Sequence, residues 1–221
     1  GHVKLGSLLP PIPYPRRMWA GGELIISEQF QVNDNVEKTS VLTDIQHKKG
    51  ASGQLYFLTI SHDFFVKDKK MLTEHQCLVF KEQNKDNLSK KEVTSKKIEI
   101  EKLPETAIKK AVFNTDPILL FRYSAVTFNG HRIHYDLDHA KIVEGQPGLV
   151  VHGPLQATWL LNLAALHFGE VPKRFVYKNL SPLISGNAAH LWVAETEKMK
   201  SLIVYCCDKN EKIIMRGEAF L

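Results

Sequence analysis

One segment, residues 153–168, is apolar on nearly every side and restricts the folds that the rest of the chain can adopt. It opens with Gly153-Pro154, and proline is favoured at the first position of a helix. Apolar residues dominate from Leu155 to Phe168, and Gly169 is a typical C-terminal stop. The segment predicts a helix without a polar face, which other elements must cover on all sides.

Strand patterns lie on both sides of this helix along the chain. They are rich in β-branched and aromatic residues and are bounded by short polar turns, which favours antiparallel pairing. Before the helix the runs are Glu23 to Phe30, Glu37 to His47, Gln54 to Val66 and Leu72 to Lys81. After the helix the runs are Lys173 to Leu180, Ala188 to Glu195, Leu202 to Cys207 and Lys212 to Leu221. A long helix wrapped by an antiparallel sheet is the hotdog arrangement, so we expect an α+β fold of this kind.

The two halves of the chain repeat one order of elements. Each has a strand, a charged turn and a strand ending in an apolar pair, in YFLTISHDFFVKDKKMLTEHQCLVF and LIVYCCDKNEKIIMRGEAFL. This order suggests duplication and predicts a double hotdog, with a boundary near residue 95 in the charged stretch from Lys81 to Lys102. Residues 1–95 would form a degenerate hotdog-like half without catalytic residues, in which no central helix is evident. Residues 96–221 would form the half that carries the site.

Composition narrows the possible functions. The net charge of +5 fits a polyanionic ligand such as coenzyme A, while the basic residues form no aromatic-interleaved stripe that would favour nucleic acid. No apolar run of about 18 residues or signal peptide is visible, so we expect a cytoplasmic protein without a membrane partner. The three cysteines, Cys77, Cys206 and Cys207, form no CxxC pair, which indicates a reducing compartment and small buried side chains instead of a metal or disulfide framework.

The densest polar cluster is FRYSAVTFNGHRIHYD, from Phe121 to Asp136. Titratable groups between two apolar elements are costly unless they are paired or used, although an exposed loop would tolerate them. The cluster is followed by GLVVHGPL, a glycine-containing entry to the predicted helix. A helix start offers unpaired N–H groups to an oxyanion, and Gly153 would let a thioester carbonyl approach. A facing histidine could then move the proton needed to add or remove water.

These residues resemble the hydratase motif of the MaoC-like, (R)-specific enoyl-thioester hydratases. Without a gap, Tyr123 matches the motif tyrosine, His134 the catalytic histidine, Asp136 the final aspartate and His152-Gly153 the HG pair. The chain departs from the motif at Asn129 and at the pair His131-Arg132. Asn129 replaces the catalytic aspartate, and His131-Arg132 replaces Asn-Pro. With these departures, the resemblance implies that His134 is the only acid/base, with Asn129 holding the water. Asp136 would orient or charge the histidine.

The variant RYSAVTFNGHRIHYD, with LPPIPYPRRMWAGG upstream, is more specifically similar to the mesaconyl-C4-CoA or itaconyl-CoA hydratase group. It is also similar to fungal 3-hydroxyacyl-thioester dehydratases. This likeness implies a double hotdog, no metal and no cofactor apart from the coenzyme A of the substrate, with citramalyl-CoA as the product. Arg132 or Arg122 would hold a free substrate carboxylate, while Tyr123, His131 and His152 would line the pocket. Group members usually carry a segment before the LPP stretch, so a truncated chain is expected.

Several alternatives remain open at this point. The enzyme could be a 3-hydroxyacyl-ACP or -CoA dehydratase of fatty-acid synthesis instead of a dicarboxylate hydratase. It could be an acyl-CoA thioesterase with Asp136 or Glu144 as the base, because the same fold hosts thioester hydrolysis. It could also bind acyl-CoA without catalysis. A monomer and a homodimer are both open, and the mitochondrial matrix is the alternative location.

Overall fold

The structure is a computed structural model that describes residues 8–14, 16–50, 53–81, 102–197 and 200–221. Two compact units divide the described residues. The N-terminal unit contains residues 8–22 and 27–81, and the C-terminal unit contains residues 23–26 and 102–221. The predicted boundary near residue 95 lies outside the described residues.

The N-terminal unit is an antiparallel sheet. Its strands are β1 (Arg16–Ile26, of which residues 23–26 belong to the other unit), β2 (Val36–Gly50), β3 (Gly53–Val66) and β4 (Lys69–Lys81), in the order β2-β3-β4-β1. Alternating residues of β3 and β4 bury one face, on which the opening segment also packs. The buried side chains of this face and of the opening segment form one hydrophobic cluster, which consists of Leu9, Ile12, Leu58, Ile60, Leu78 and Phe80. The described residues of this unit contain no helix.

The C-terminal unit combines a sheet with two α-helices. Its elements are β5 (Ile108–Phe113), α1 (Pro117–Val126), a 3-10 turn (Arg132–His134), a π-helical turn (His139–Val143), α2 (Gly153–Phe168), β6 (Arg174–Asn179), β7 (Ala189–Glu195), β8 (Ser201–Cys207) and β9 (Ile213–Phe220). The strands pair antiparallel in the order β6-β9-β8-β7-β5. Helix α2 packs on this sheet, which is the predicted hotdog arrangement.

Helix α2 begins and ends as its sequence predicts. Pro154 occupies the first turn, and Gly169 adopts the left-handed conformation at the C-terminus with φ of 78°. One side of the helix is buried, including Leu160, which is fully covered. The opposite side is not covered, because Thr158, Asn162 and Leu166 lie on the surface and Leu166 is 82% exposed. The prediction that α2 is covered on all sides was therefore wrong.

Two elements of the C-terminal unit, β5 and α1, lie where no strand or helix was predicted. Asp116 caps α1 by accepting a hydrogen bond from the Leu119 amide at 2.8 Å, and Pro117 stands in the first turn. This cap-and-proline signal is present in the sequence. The helix was not predicted because its apolar residues do not lie on one side only: Ile118 and Phe121 are each 63% exposed.

Among the helices of the described residues, none has the length and the apolar character of a membrane span.

The three cysteines carry free thiols. Cys206 and Cys207 are buried next to each other in β8, while Cys77 is half-buried in β4. Burial raises the pKa of the Cys207 thiol to about 12 and raises that of Cys206 further. Both thiols of β8 are therefore protonated at neutral pH and pack as small apolar side chains.

Two leucines of α2 test how the helix is buried. Leu160→Ala should lower the free energy of unfolding by about 2–5 kcal/mol, because it opens a cavity under the sheet. Leu166→Ala, on the exposed side, should change it by less than about 0.5 kcal/mol. Urea unfolding followed by circular dichroism measures both, and equal losses would contradict the packing described here.

Candidate active site

His134 lies on the 3-10 turn before α2 and is only 7% exposed. Its Nδ1 is 2.7 Å from the carbonyl oxygen of Val150. Because a carbonyl oxygen can only accept, Nδ1 carries the hydrogen of the neutral ring and Nε2 keeps a lone pair. Burial lowers the pKa of His134, and the bond to Val150 opposes that effect only in part. The ring is therefore neutral at pH 7 and presents a basic Nε2.

Val150 holds this turn through both of its backbone groups. Its amide donates to the carbonyl of Ile133 at 2.9 Å, and its carbonyl accepts from His134. An isolated bridge to Ile184 and a bond from the Val151 amide to Leu183 fix the same segment from its other side. The imidazole of His134 is thus oriented by backbone that is itself paired on two sides.

His152 stacks directly on His134, with ring centroids 3.6 Å apart and an angle of 19° between the planes. It occupies the N-cap position of α2, without a side-chain capping hydrogen bond, and is fully buried. Burial, followed by the charges of His134 and His131, lowers the pKa of His152 to about 3. Because the pKa of each ring is lowered, both rings are neutral at physiological pH.

Helix α1 supports His152 from the other side. Ser124 is buried, and its Oγ lies 2.8 Å from Nε2 of His152. The half-buried ring of Tyr123 meets His152 edge to face, with centroids 4.8 Å apart. Ser124 was missed in the sequence because α1 was not recognised, so its helical position was unknown.

Gly153 begins α2 where a larger residue would displace the side chain of Asn179. A Cβ atom built on Gly153 would lie 2.5 Å from Nδ2 of Asn179, a residue at the end of β6. The amides of Gly153 and Leu155 have no carbonyl one helical turn earlier, and Pro154 has no N–H. With the positive end of the helix dipole, these amides can stabilise a developing oxyanion. Asn179 was not identified from the sequence.

Gln156 is a third residue, after Ser124 and Asn179, that the sequence did not reveal. It stands in the first turn of α2 and is 2% exposed. Its Nε2 reaches the carbonyls of Val151 and His152 only at 3.4 and 3.5 Å. Its Oε1 has no hydrogen-bond partner among the described residues. An apolar-looking helix therefore carries a buried amide at its functional end.

Asn129 and His131 lie in the loop before His134. The Oδ1 of half-buried Asn129 accepts a hydrogen bond from the His131 amide at 3.1 Å, which is a local turn bond. The ring of His131 lies perpendicular to that of His134, with centroids 5.5 Å apart. The structure thus brings His131, His134 and His152 together. The role of Asn129 in holding water stays a prediction.

Arg132 and Asp136 bond to each other on the surface. Nε and Nη2 of Arg132 donate to one oxygen of Asp136 at 3.0 and 2.7 Å, and the arginine side chain is 57% exposed. The other oxygen of Asp136 caps the next turn by accepting from the His139 amide at 2.9 Å. The His139 and Arg132 hydrogen bonds lower the pKa of this carboxyl. Among the described residues, the hydrogen bonds of the His134 side chain do not include either residue.

Arg122, the other predicted carboxylate ligand, is exposed on α1. Its neighbour Tyr123 faces the histidine stack. The predicted substrate-binding roles of both arginines stay predictions. Within the described residues, no three histidine, cysteine or carboxylate side chains are placed to hold a metal ion.

Comparison with known proteins adds a family and two relatives. Residues 2–185 match the profile of the family described as hydroxyacyl-thioester dehydratase type 2. A mesaconyl-C(4)-CoA hydratase of Chloroflexus aurantiacus is 38% identical over 83% of this chain and 63% of its own length. The mitochondrial hydroxyacyl-thioester dehydratase type 2 of Schizosaccharomyces pombe is 26% identical over 89% of this chain and 71% of its own. The chain thus spans less than two thirds of the Chloroflexus relative.

Solved structures of low identity share the fold. A MaoC-like dehydratase from Phytophthora capsici superposes with a TM-score of 0.67 at 14% identity, over 96% of this chain and 74% of that one. A Mycobacterium tuberculosis protein with a double hotdog fold gives a TM-score of 0.59 at 11% identity, over 94% and 75%. The predicted α+β double hotdog is therefore confirmed.

The neutral state of His152 predicts an acid-sensitive fold. The unfolded chain binds this proton near pH 6.5 and the folded chain only near 3, so the free energy of unfolding falls as pH drops between these values. One such group contributes a slope of up to about 1.4 kcal/mol per pH unit. His152→Gln should flatten the slope measured by urea unfolding at stepped pH. Exposed His167→Gln, on the same helix, is the control, and equal slopes in all three proteins would refute the assignment.

The closeness of Gly153 and Asn179 predicts that a larger residue at position 153 destabilises the protein and that shortening Asn179 restores part of the stability. Gly153→Ala should cost about 1–3 kcal/mol of stability, because the new methyl group overlaps the Asn179 amide. Adding Asn179→Ala should restore part of this loss. Gly130→Ala, which meets no atom within 4 Å, is the matched control for thermal unfolding. A Gly153→Ala variant as stable as Gly130→Ala would contradict the close approach.

Proposed function

The chain belongs to the hydroxyacyl-thioester dehydratase type 2 family, and we propose that it adds water to, or removes water from, the α,β double bond of an acyl thioester. One observation carries the proposal. His134 is buried and neutral, its Nδ1–H is committed to Val150, and it stacks on the histidine at the N-cap position of α2. The reaction needs a general base and a hydrogen-bond donor for the enolate oxygen. The basic Nε2 of His134 and the amides at the start of α2 supply them.

In the hydration direction, Nε2 of His134 takes one proton from water as the water oxygen bonds to the β-carbon. The electron pair of the double bond moves towards the thioester carbonyl and forms an enolate. The Gly153 amide donates a hydrogen bond to the enolate oxygen. The imidazolium then returns its proton to the α-carbon, which leaves a 3-hydroxyacyl thioester and a neutral histidine. Dehydration follows the same steps in reverse.

The burial of His134 suits a single histidine to both proton transfers. A lowered pKa keeps the ring unprotonated and ready as a base. The imidazolium that forms in the reaction is a stronger acid than ordinary histidine, so it readily protonates the α-carbon. Base and oxyanion donor together complete the chemistry, and we propose that no metal or redox cofactor takes part. Coenzyme A enters as part of the substrate.

For the substrate we propose mesaconyl-C4-CoA, hydrated to citramalyl-CoA. The 38% identity to the Chloroflexus hydratase of that name supports this choice. A net charge of +5 suits the phosphates of coenzyme A, and Arg122 and Arg132 stay candidates for the free carboxylate. The fission-yeast relative instead supports a 3-hydroxyacyl thioester of fatty-acid synthesis as the alternative.

The thioesterase alternative loses its candidate bases in this geometry. Both oxygens of Asp136 are used, one by Arg132 and one by the His139 amide. Glu144 pairs with His139 at 3.9 Å. Neither carboxylate is therefore placed as an idle general base, whereas the Nε2 lone pair of His134 is.

We propose a cytoplasmic location, with the mitochondrial matrix as the alternative because the fission-yeast relative is named as mitochondrial. Three free thiols fit either reducing compartment. A homodimer is compatible with the fold but stays a prediction. Sedimentation of the purified chain measures its oligomeric state.

His134→Asn tests the base directly. An asparagine amide can keep the bond to Val150 but has no basic nitrogen at the Nε2 position. Turnover of the enoyl thioester should therefore fall about 10²- to 10⁴-fold while the fold persists. The exposed His167→Asn is the matched control and should retain full activity. Undiminished turnover in His134→Asn would exclude the proposed mechanism.

The substrate class follows from offering mesaconyl-C4-CoA and crotonyl-CoA separately while the enoyl-thioester absorbance and free thiol are both recorded. Loss of absorbance with mesaconyl-C4-CoA alone is the expected result. Loss with crotonyl-CoA would establish the fatty-acyl alternative. Release of thiol without hydration would instead identify a thioesterase and overturn the proposal.

A further inference from the structure

The buried side-chain amide of Gln156, at the start of α2, has an oxygen that accepts no hydrogen bond from the described residues. Gln156 is 2% exposed, yet its Oε1 has no partner among the described residues and its Nε2 makes only long contacts. Buried acceptors are normally satisfied, because removing an amide from water without a new hydrogen bond is unfavourable. An unsatisfied acceptor at a candidate active site indicates a ligand atom that donates a hydrogen bond to it.

The side-chain amide of Gln156 lies next to the backbone of the segment that carries His152. Gln156 follows His152 by one helical turn, its amide donates to the His152 carbonyl at 3.2 Å, and His152 stacks on His134. Nδ1 of His152 is likewise buried without a partner in the described part of the chain. Two unsatisfied polar atoms therefore lie at the start of one helix, and each could form a hydrogen bond with a small hydroxylic ligand.

We propose that Oε1 of Gln156 binds the attacking water, and in reverse the β-hydroxyl of the 3-hydroxyacyl thioester. This inference rests on the hydratase function proposed above. One hydrogen of the water goes to Nε2 of His134 as the oxygen bonds to the β-carbon. The other hydrogen stays on that oxygen throughout and donates to Gln156. The amide therefore orients the nucleophile without exchanging a proton.

Gln156 is better placed for this role than Asn129. The Oδ1 of Asn129 already accepts one hydrogen bond, from the His131 amide, whereas the Oε1 of Gln156 accepts none from the described residues. Gln156 also lies on α2, whose first turn presents the oxyanion amides of Gly153 and Leu155. Water and enolate would be held by one rigid element, which favours accurate geometry.

Gln156→Leu separates a ligand-binding role from a structural one. Leucine removes an unsatisfied amide and is apolar and similar in size, so the thermal midpoint should stay unchanged or rise. The kcat for hydration of the enoyl thioester should nevertheless fall about 10- to 100-fold, the value of one hydrogen bond to the nucleophile. A structural role predicts the opposite pattern, with lost stability and a proportionate loss of activity.

Ligand binding gives a second readout that folding defects do not reproduce. Titrations of citramalyl-CoA and of methylsuccinyl-CoA, the same thioester without the hydroxyl group, are made in a His134→Asn background, which prevents turnover. Gln156→Leu should weaken binding of the hydroxylated thioester about tenfold and leave that of methylsuccinyl-CoA unchanged. Gln156→Glu, which keeps an acceptor oxygen, should preserve the preference for the hydroxyl group. Gln54→Leu in β3 is the matched control, since Gln54 also has an unsatisfied buried Oε1 but lies in the other unit.

The results separate failure of this inference from failure of the proposed function. If wild-type protein hydrates crotonyl-CoA or mesaconyl-C4-CoA and Gln156→Leu matches it in kcat and in ligand preference, the role of Gln156 is refuted and the hydratase stands. If wild-type protein hydrates neither thioester, the proposed function fails and this inference fails with it. Loss of kcat and of hydroxyl preference in Gln156→Leu, with Gln54→Leu unaffected, supports the inference.

Discussion

The site depends on the exclusion of water from two stacked imidazoles. His134 and His152 lie with ring centroids 3.6 Å apart, and burial lowers the pKa of each, that of His152 to about 3. In water these rings would titrate independently near their ordinary pKa of about 6.5. Where they lie, neither can charge without a large desolvation penalty. In the neutral ring of His134, the hydrogen bond from Nδ1 to the Val150 carbonyl leaves Nε2 as the nitrogen that can act as a base.

Elements distant in sequence hold the pair in place, and each contributes one contact. The segment around Val150 supplies the carbonyl that sets the His134 tautomer, and α1 supplies Ser124 against His152. Helix α2 supplies the cap position, while β6 supplies Asn179 against Gly153. The cost of burying polar groups at the start of α2 is thus partly offset by specific hydrogen bonds. Unsatisfied atoms at Gln156 and His152 are the part that a ligand can satisfy.

Local sequence signals predicted where helix α2 begins and ends, but they did not predict which of its sides are buried. Gly153-Pro154 and Gly169 mark the ends of α2 because proline and left-handed glycine act within one turn. The composition of α2 could not show which side meets the sheet, since leucines occupy both sides, and so the exposure of Leu166 was unexpected. The Arg132–Asp136 pair was not predicted, because the motif had suggested a substrate carboxylate as the partner of Arg132 and His134 as the partner of Asp136.

The supporting residues of the site could not be predicted in the same way. Ser124 lies 28 positions from the histidine it contacts, and no local pattern reports such a pairing. Gln156 stands in an apolar run, where its burial and its unsatisfied oxygen become evident only once the helix is packed. His134 itself was identified through a family motif whose spacing places a histidine before the helix, and its tautomer required the Val150 carbonyl.

The central claim is that His134 is a neutral base with a free Nε2, and 15N NMR of the imidazole nitrogens tests it most directly. The account predicts a protonated Nδ1, an unprotonated Nε2 and a titration midpoint below the ordinary histidine value of about 6.5. His134→Asn supplies the assignment by removing the corresponding signals. A signal from protonated Nε2 at pH 7, or a midpoint above the ordinary value, would contradict the account.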